Sequence, residues 1–284
     1  MFLLYTNMRS LCKSNNNIKG EDMGKIIEAT EAGFSVNGKD ILKRITMEVE
    51  TGVSVAVMGA NGSGKSSLIK LLAGISEPQT GRIQRNFTSY AYVPEHFPEH
   101  LSFTVKNYLQ LLAGMDRRQE GEKAAHYARL FGLEPFLDTP LKKCSKGTKQ
   151  KAGFIQALMK KAEVLFLDEP FTGMDESSVQ IAASLLMEWK GTIVFTLHET
   201  ELAYQLATHI AILENGHLTS LSPVQRTSHL MEITYRMNEN RLKAVQLVGD
   251  TYRLTVEETE SDKTIGEILK NSGHIIEVKE KEER

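Results

Sequence analysis

The sequence predicts an α/β fold in which helices cover a mainly parallel sheet. Three observations lead to this prediction. Short runs of branched apolar residues recur along the chain, and segments with helical periodicity lie between them. A glycine-rich segment joins one such strand to one such helix. Acidic side chains and a histidine follow later strands, at the end where open α/β sheets place their ligands.

Length and composition limit the possible classes. The 284 residues suffice for one large domain and a smaller one, and a net charge of −2 gives no basic field that favours nucleic acid. The two cysteines, Cys12 and Cys144, indicate no disulfide framework and favour a reducing cytoplasm. No apolar run approaches the ~20 residues that span a bilayer. Residues 1–24 are predicted to form a flexible leader in which Met8 and Met23 are alternative starts.

The predicted strands fall into two kinds. Residues 41–49 alternate apolar Ile45, Met47 and Val49 with polar neighbours, which is typical of a half-buried strand. The continuous apolar runs 164–167 and 192–196 are typical of buried parallel strands. Strands are predicted at residues 26–30, 41–49, 53–58, 82–83, 90–93, 164–167, 192–196 and 210–213.

Residues 95–160 differ from the preceding segments in their sequence periodicity. Pro94 and Pro98 interrupt regular structure, and three segments of helical period follow without a comparable strand, at residues 105–113, 121–131 and 148–160. They predict a helical subdomain inserted into the core. The pairs Glu95–His96 and Glu99–His100 are compatible with a metal site. The prolines disfavour the helix that would bring such ligands onto one face, so a solvated loop is favoured.

Residues 223–284 are predicted to form a small α+β accessory domain. A hairpin is expected from 244–248 and 252–256 around the turn Gly249–Asp250. A short helix containing Ile265 and Ile268, and a last strand near 275–278, complete it.

The glycine-rich segment matches the pattern GxxxxGK[ST] between a strand and a helix, which is the context of a phosphate loop. Glycines let backbone N–H groups surround an anion, and the helix start adds a positive dipole end. Lys65 is expected to reach the β- and γ-phosphates, and the Ser66 hydroxyl to ligate Mg²⁺. The predicted nucleotide-binding residues here are Gly59, Ala60, Asn61, Gly62, Ser63, Gly64, Lys65, Ser66 and Ser67.

Four further motifs follow in order: Cys144-Ser145-Lys146-Gly147-Thr148-Lys149-Gln150, then Val164–Pro170 with Asp168 and Glu169, then Thr172-Gly173-Met174-Asp175, then Thr196-Leu197-His198-Glu199. With the phosphate loop, they resemble the ATP-binding cassette family, the nucleotide-binding subunits of transporters, over residues ~25–222. The resemblance implies a P-loop NTPase core with an antiparallel β subdomain and a helical subdomain. It implies an ATPase with ATP and Mg²⁺ as cofactors.

By this resemblance, Asp168 holds Mg²⁺ through water and Glu169 polarises the attacking water, since phosphoryl transfer requires a positioned carboxylate. The alternative to this catalytic role is a structural one, in which Glu169 is only a neighbour of a helix N-cap. His198 resembles the switch histidine that contacts the γ-phosphate. Asp175 resembles the residue that communicates across a dimer interface, and a helix N-cap role is compatible with that. Ser145 and Gly147 resemble the signature residues, which face the phosphate loop of a second subunit.

The chain departs from the family pattern at several positions. Lys146 replaces a glycine and Thr148 a glutamine in the signature, and Glu95 replaces the usual glutamine that senses Mg²⁺ and the transmembrane partner. Lys146 and Glu95 resemble the drug, bacteriocin and antibiotic export subgroup. The position of the aromatic residue that stacks on adenine aligns with Val36, and Phe34 on the same strand face is the alternative.

The expected function is therefore the ATPase subunit of an ABC transporter, with export favoured over import. Its partners would be a separately encoded transmembrane permease and a second ATP-binding subunit, at the cytoplasmic face of the membrane. The alternatives are a cassette ATPase acting on ribosomes or DNA, and a phosphate-loop kinase. One phosphate loop, no heptad run and no basic excess oppose the first. The motifs around Ser145, Asp175 and His198 would be unexplained in the second.

Overall fold

The computed structural model describes residues 24–98, 101–112, 119–225, 230–238, 242 and 244–281. The predicted leader therefore falls almost wholly outside the described residues. The described chain forms two compact units, which divide between Val224 and Gln225. No helix in these residues is long and apolar enough to span a membrane.

A six-stranded sheet forms the centre of the first unit. Its strands are β3 (Ser54–Met58), β5 (Tyr90–Val93), β6 (Val164–Asp168), β7 (Thr192–Thr196), β8 (His209–Glu214) and β9 (His217–Pro223), in the order β5-β6-β7-β3-β8-β9. The first five run parallel, and β9 pairs antiparallel with β8. Every residue of β6 and β7 is buried, which explains their continuous apolar sequences. The order brings the ends of β6, β7 and β3 side by side.

A smaller antiparallel sheet packs into the same hydrophobic core. It consists of β1 (Lys25–Val36), β2 (Lys39–Glu50) and β4 (Thr80–Arg85), in the order β2-β1-β4. Ile45, Met47 and Val49 are buried, whereas Thr46 and Glu48 between them are exposed. The predicted alternation is confirmed, and the predicted antiparallel β subdomain is present.

The described part of this unit contains six α-helices: α1 (Lys65–Leu72), α2 (Val105–Leu112), α3 (Gln119–Leu130), α4 (Lys146–Met159), α5 (Glu176–Met187) and α6 (Thr200–Leu206). Helices α2, α3 and α4 lie where the helical subdomain was predicted. Helix α4 begins two residues before the predicted start, because the extended Ser145 caps it and accepts the backbone N–H of Thr148.

The second unit is a four-stranded antiparallel sheet with one helix. It contains β10 (Leu230–Arg236), β11 (Val245–Val248), β12 (Thr251–Glu257), α7 (Glu258–Lys270) and β13 (His274–Glu280), with strand order β11-β12-β10-β13. The hairpin, helix and last strand were predicted, but β10 was missed. Its Ile233 and Tyr235 are fully buried in this unit's core with Ile268 of α7. The alternation of apolar and polar residues along β10 is the signal that identifies it.

Candidate functional site

The phosphate loop, residues 59–66, leads from β3 into α1. Gly64 is the N-cap of α1 with φ +106°, and a Cβ there would lie 2.8 Å from Leu42 Cδ2. A Cβ on Gly59, at φ +151°, would collide with the carbonyl of Leu213. Both positions therefore require glycine, and the loop takes a shape that a residue with a side chain cannot adopt there without strain.

The polar groups of this loop fit a polyphosphate. The Lys65 ammonium donates to the carbonyls of Gly59 and Ala60 at 2.9 and 3.2 Å, and so lies across the loop. The Ser63 hydroxyl is buried and has no hydrogen-bond partner among the described residues. A buried hydroxyl without a partner is costly, and a phosphate oxygen would satisfy it.

Asp168 ends β6 beside this loop, with its side chain buried. Its Oδ1 accepts hydrogen bonds from the Ser66 and Thr196 hydroxyls, each at 3.0 Å. Burial raises the pKa of Asp168, and these two bonds oppose the rise. The hydroxyl of Tyr92 on β5 is also buried and has no hydrogen-bond partner in the described part, and burial and the Asp168 charge raise its pKa.

This donor set suits a hard cation that keeps water and phosphate ligands. Ser66 and Asp168 supply oxygen atoms, which Mg²⁺ prefers, and Mg²⁺ usually takes one or two protein ligands. Across the described residues, no three His, Cys, Asp or Glu side chains cluster as a metal site of their own. The predicted alternative of a Glu95–His96 metal site thus gains no support, and Glu99 and His100 lie outside the described residues.

Glu169 follows Asp168 in an uncommon backbone conformation, with φ +46°. Its Oε1 is buried, accepts no hydrogen bond from the described residues, and lies 3.5 Å from Nε2 of His198. His198, in contrast, is 60% exposed. Burial raises the pKa of Glu169, and the charges of His198 and Lys65 partly offset this. A largely buried carboxylate and an accessible imidazole therefore meet at one place.

Glu95 lies in the loop after β5, close enough for its charge to raise the pKa values of Asp168 and Glu169. Gln150 of α4 forms hydrogen bonds both to this loop and to Glu169. Its buried amide donates to the carbonyl of Pro94 at 3.1 Å and to that of Glu169 at 3.4 Å. Sequence reasoning named neither Gln150 nor Thr196 as a site residue.

Ser145, Gly147 and Asp175 form a second group. The Ser145 hydroxyl lies 2.9 Å from that of Thr148, and a Cβ on Gly147 would collide with the Gly173 carbonyl. Asp175 caps α5 by accepting the backbone N–H of Ser178. In the described part of the chain, no hydrogen bond or ion pair joins these three residues to the phosphate loop. Within the described residues, the predicted phosphate-loop and signature residues thus share no direct polar contact.

The two residues proposed to contact adenine differ in exposure. Val36, at the end of β1, is 46% exposed. Phe34 is partly buried and packs against the hydrophobic core. The more accessible of the two is thus the one without an aromatic ring. The assignment of the adenine contact stays a prediction.

Comparison with known proteins identifies the family. Residues 42–172 match the family model described as ABC transporter. The chain is 31% identical over 204 residues to the uncharacterized ABC transporter ATP-binding protein YthP of Bacillus subtilis, covering 69% of this chain and 86% of that protein. It is 31% identical over 226 residues to the hemin import ATP-binding protein HmuV of Rhodopseudomonas palustris, covering 71% and 83%.

A solved structure agrees with the sequence comparisons. The ATP-binding subunit of an ABC transporter superimposes with a TM-score of 0.62 at 27% identity, covering 70% of this chain and 90% of that one. The fold of the first unit is thus that of an ABC transporter ATP-binding subunit. The chain belongs to the ABC transporter family as an ATP-binding subunit, an ATPase coupled to transport.

Proposed function

We propose that this subunit hydrolyses Mg²⁺-bound ATP with Glu169 as the residue that orients the attacking water. The observation that carries the proposal is the meeting of three elements at one edge of the sheet. Ser66 of α1 donates to Asp168 of β6, and the neighbouring Glu169 faces His198 beyond β7. These are the positions at which a parallel sheet presents ligands.

ATP would be held mainly through its phosphates. Lys65 supplies a positive charge, and the loop supplies amides and the unpaired Ser63 hydroxyl. Ser66 and Asp168 would hold Mg²⁺, directly and through water, and Glu95 would add an oxygen nearby. When bound, Mg²⁺ neutralises negative charge on the phosphates as the bond to the leaving group breaks.

The proposed roles of Glu169 and His198 follow from their environments. The buried Oε1 of Glu169 accepts no hydrogen bond from the described residues, so it can accept one from water. The accessible His198 donates toward the transferred phosphoryl group and limits the rise of the Glu169 pKa. Glu169 would therefore orient the water, and His198 would hold the phosphate by a hydrogen bond.

A complete site requires a second subunit, either another copy or a different chain. Ser145, Gly147 and Asp175 carry groups suited to phosphate and interface contacts, yet they make no hydrogen bond or ion pair with this chain's phosphate loop in the described residues. The helix start at Ser145 and its hydroxyl would serve the nucleotide of the partner subunit.

The subunit would work at the cytoplasmic face of the membrane, bound to a separately encoded permease. We propose export as the direction, on the basis of Lys146, Glu95 and the unit that follows Val224. Similarity to a hemin import protein does not favour that direction. Inside-out membrane vesicles from cells with and without this chain test it. ATP-dependent accumulation of a compound, identified by mass spectrometry of the vesicle contents, is expected for an exporter.

Hydrolysis is tested with Glu169→Gln in the full chain. The variant should bind ATP as the wild type does and release phosphate at least about 100-fold more slowly, because the water loses its orienting carboxylate. Glu201→Gln, which changes an exposed glutamate in the first turn of α6, is the matched control and should retain activity. Steady-state hydrolysis by Glu169→Gln near the wild-type rate would show that another group orients the water.

A further inference from the structure

Thr196 contacts the Asp168 carboxylate and the Glu169 backbone. It is the last residue of β7 and the register partner of Asp168 on the adjacent strand β6. Its side chain is fully buried. Its hydroxyl donates to Asp168 Oδ1 at 3.0 Å and accepts the backbone N–H of Glu169 at 2.9 Å. One hydroxyl group thus contacts both acidic residues.

The bond to Asp168 determines which carboxylate oxygen is left for a ligand. Oδ1 already accepts the hydroxyls of Ser66 and Thr196. A carboxylate oxygen has about two lone-pair sites, so these two bonds occupy Oδ1. Oδ2 accepts no hydrogen bond from the described residues. The Thr196 hydroxyl, together with that of Ser66, therefore holds the carboxylate with Oδ2 as its free oxygen.

The bond to Glu169 acts on the backbone. Glu169 has φ +46°, a left-handed conformation that residues other than glycine seldom adopt. Such conformations persist where surrounding contacts enforce them. The Thr196 hydroxyl fixes the N–H of this residue, and the Gln150 amide bonds its carbonyl. The side chain leaves this fixed backbone toward His198.

We propose that Thr196 is a positioning residue for ATP hydrolysis, whose single hydroxyl orients both Asp168 and Glu169. The proposal rests on the proposed function, in which Asp168 serves the metal and Glu169 the water. Because Thr196 is fully buried, this proposal gives it no contact with the nucleotide or the attacking water. Its removal should therefore leave nucleotide binding intact while lowering the rate and weakening the response to metal.

The test compares full-length Thr196→Val, Thr196→Ser and Thr192→Val chains. Valine has the shape of threonine without the hydroxyl, and serine restores the hydroxyl. Thr192→Val is the matched control, because Thr192 is also a fully buried threonine on β7 whose hydroxyl accepts a backbone N–H, that of Gly52, away from the carboxylates. Phosphate release, ATP binding without divalent cation, and the Mg²⁺ and Mn²⁺ concentrations for half-maximal rate are measured for each.

Thr196→Val should lower kcat about 10- to 100-fold and raise the half-saturating metal concentration, because a small displacement of positioned groups is costly. Metal-free ATP affinity should change less than about twofold, and Thr196→Ser should recover kcat to within about threefold of the wild type. Thr192→Val should match Thr196→Val in thermal stability but retain the wild-type rate and metal response.

Three results would overturn the proposal: wild-type kcat and metal dependence in Thr196→Val, no recovery in Thr196→Ser, or an equal loss of rate in Thr192→Val. Should Thr196→Val fail to fold, the serine variant decides, because it keeps the hydroxyl and loses only a methyl group. Glu169→Gln is measured alongside. If Glu169→Gln hydrolyses ATP at the wild-type rate, the proposed site is wrong. If Glu169→Gln loses activity while Thr196→Val hydrolyses ATP at the wild-type rate, only the positioning role of Thr196 is rejected.

Discussion

The ammonium of Lys151 lies 2.6 Å from Oδ2 of Asp175. Lys151 belongs to helix α4, which begins at the signature turn, residues 145–147, and Asp175 ends the turn of residues 172–175 that follows Glu169. Asp175 also caps α5. The ion pair and the packing of Gly147 on Gly173 thus connect residues 145–147 with residues 172–175. The first turn is proposed to face the partner's nucleotide, and the second follows this chain's own proposed catalytic carboxylate.

The cap and the ion pair at Asp175 can be separated by substitution. Asp175→Ala should lower the free energy of unfolding by about 1 kcal/mol more than Asp175→Asn, because asparagine caps helices as well as aspartate does. The ion pair alone should contribute less, because the Asp175 side chain is half-exposed. Urea unfolding followed by Trp189, the only tryptophan in the chain, measures both variants. Equal losses would contradict a capping role for Asp175.

The pH dependence of stability tests the charge at Asp175. The hydrogen bond from Lys151 is the largest of several contacts that lower the pKa of Asp175. A carboxyl group with a lowered folded pKa stabilises above its unfolded pKa, and this is lost as the pH falls through the folded value. The stability difference between wild type and Asp175→Asn should therefore be constant near pH 7 and shrink below about pH 4. A difference that persists unchanged in acid would mean that the charge plays no part.

The contact between Gly147 and Gly173 predicts a large effect from one methyl group. Gly147→Ala places a Cβ against the Gly173 carbonyl, so the two turns must separate, at a cost of about 1–3 kcal/mol and with loss of ATPase activity. Gly121→Ala in helix α3 is the control, because its Cβ meets no atom within 4 Å and should stabilise the helix by about 0.5–1 kcal/mol. Unfolding and phosphate release are measured for both. A neutral Gly147→Ala would contradict the described contact.

The exposed Val36 predicts weak base recognition. Valine offers an apolar contact without a π face, so GTP should compete with ATP within about tenfold. Val36→Tyr should tighten binding of both nucleotides by about 1–3 kcal/mol, because stacking tolerates any base, while Val36→Leu should have little effect. Calorimetric titration with each nucleotide measures these affinities. An ATP preference of about a hundredfold in the wild type would indicate that Phe34 or another ring occupies the place.

Complementation between variants tests the composite site. Ser145→Arg should leave ATP binding through Lys65 intact, and Lys65→Ala, which removes the charge across the phosphate loop, should weaken binding but leave the signature turn intact. A mixed pair of full-length chains contains one site with both residues intact. ADP release should therefore exceed that of either variant alone. Absence of recovery in isolated mixed pairs would mean that turnover needs both sites, and full activity of Ser145→Arg alone would contradict a composite site.

Sequence periodicity predicted much of the fold because burial determines it locally. Strands β5 and β7 have the predicted bounds, and the buried runs of β6 and β8 were recognised by their apolar character. The start of α4 was placed too late, since the capping bond at Ser145 depends on backbone conformation. Strand β10 was missed, although its alternating pattern is present in the sequence.

The motifs indicated the phosphate loop and the carboxylates, but their supporting contacts were not predictable. Thr196 reaches Asp168 through strand register, across 28 positions of sequence, and Gln150 reaches Pro94 across 56. Periodicity indicates which face of an element is buried, but it does not give the register between strands or the partner of a buried amide. Such bonds become visible only in three dimensions.

The two neighbouring positions 146 and 147 of the signature turn differ in the substitutions that the structure can accept. Lys146 is exposed, whereas Gly147 beside it is buried against a backbone carbonyl. A lysine in place of the usual glycine therefore meets no steric barrier at the first position, and any side chain meets one at the second. Mutagenic libraries across this turn should accept many residues at 146 and return glycine at 147, so the turn can diversify its charge while its backbone contact stays unchanged.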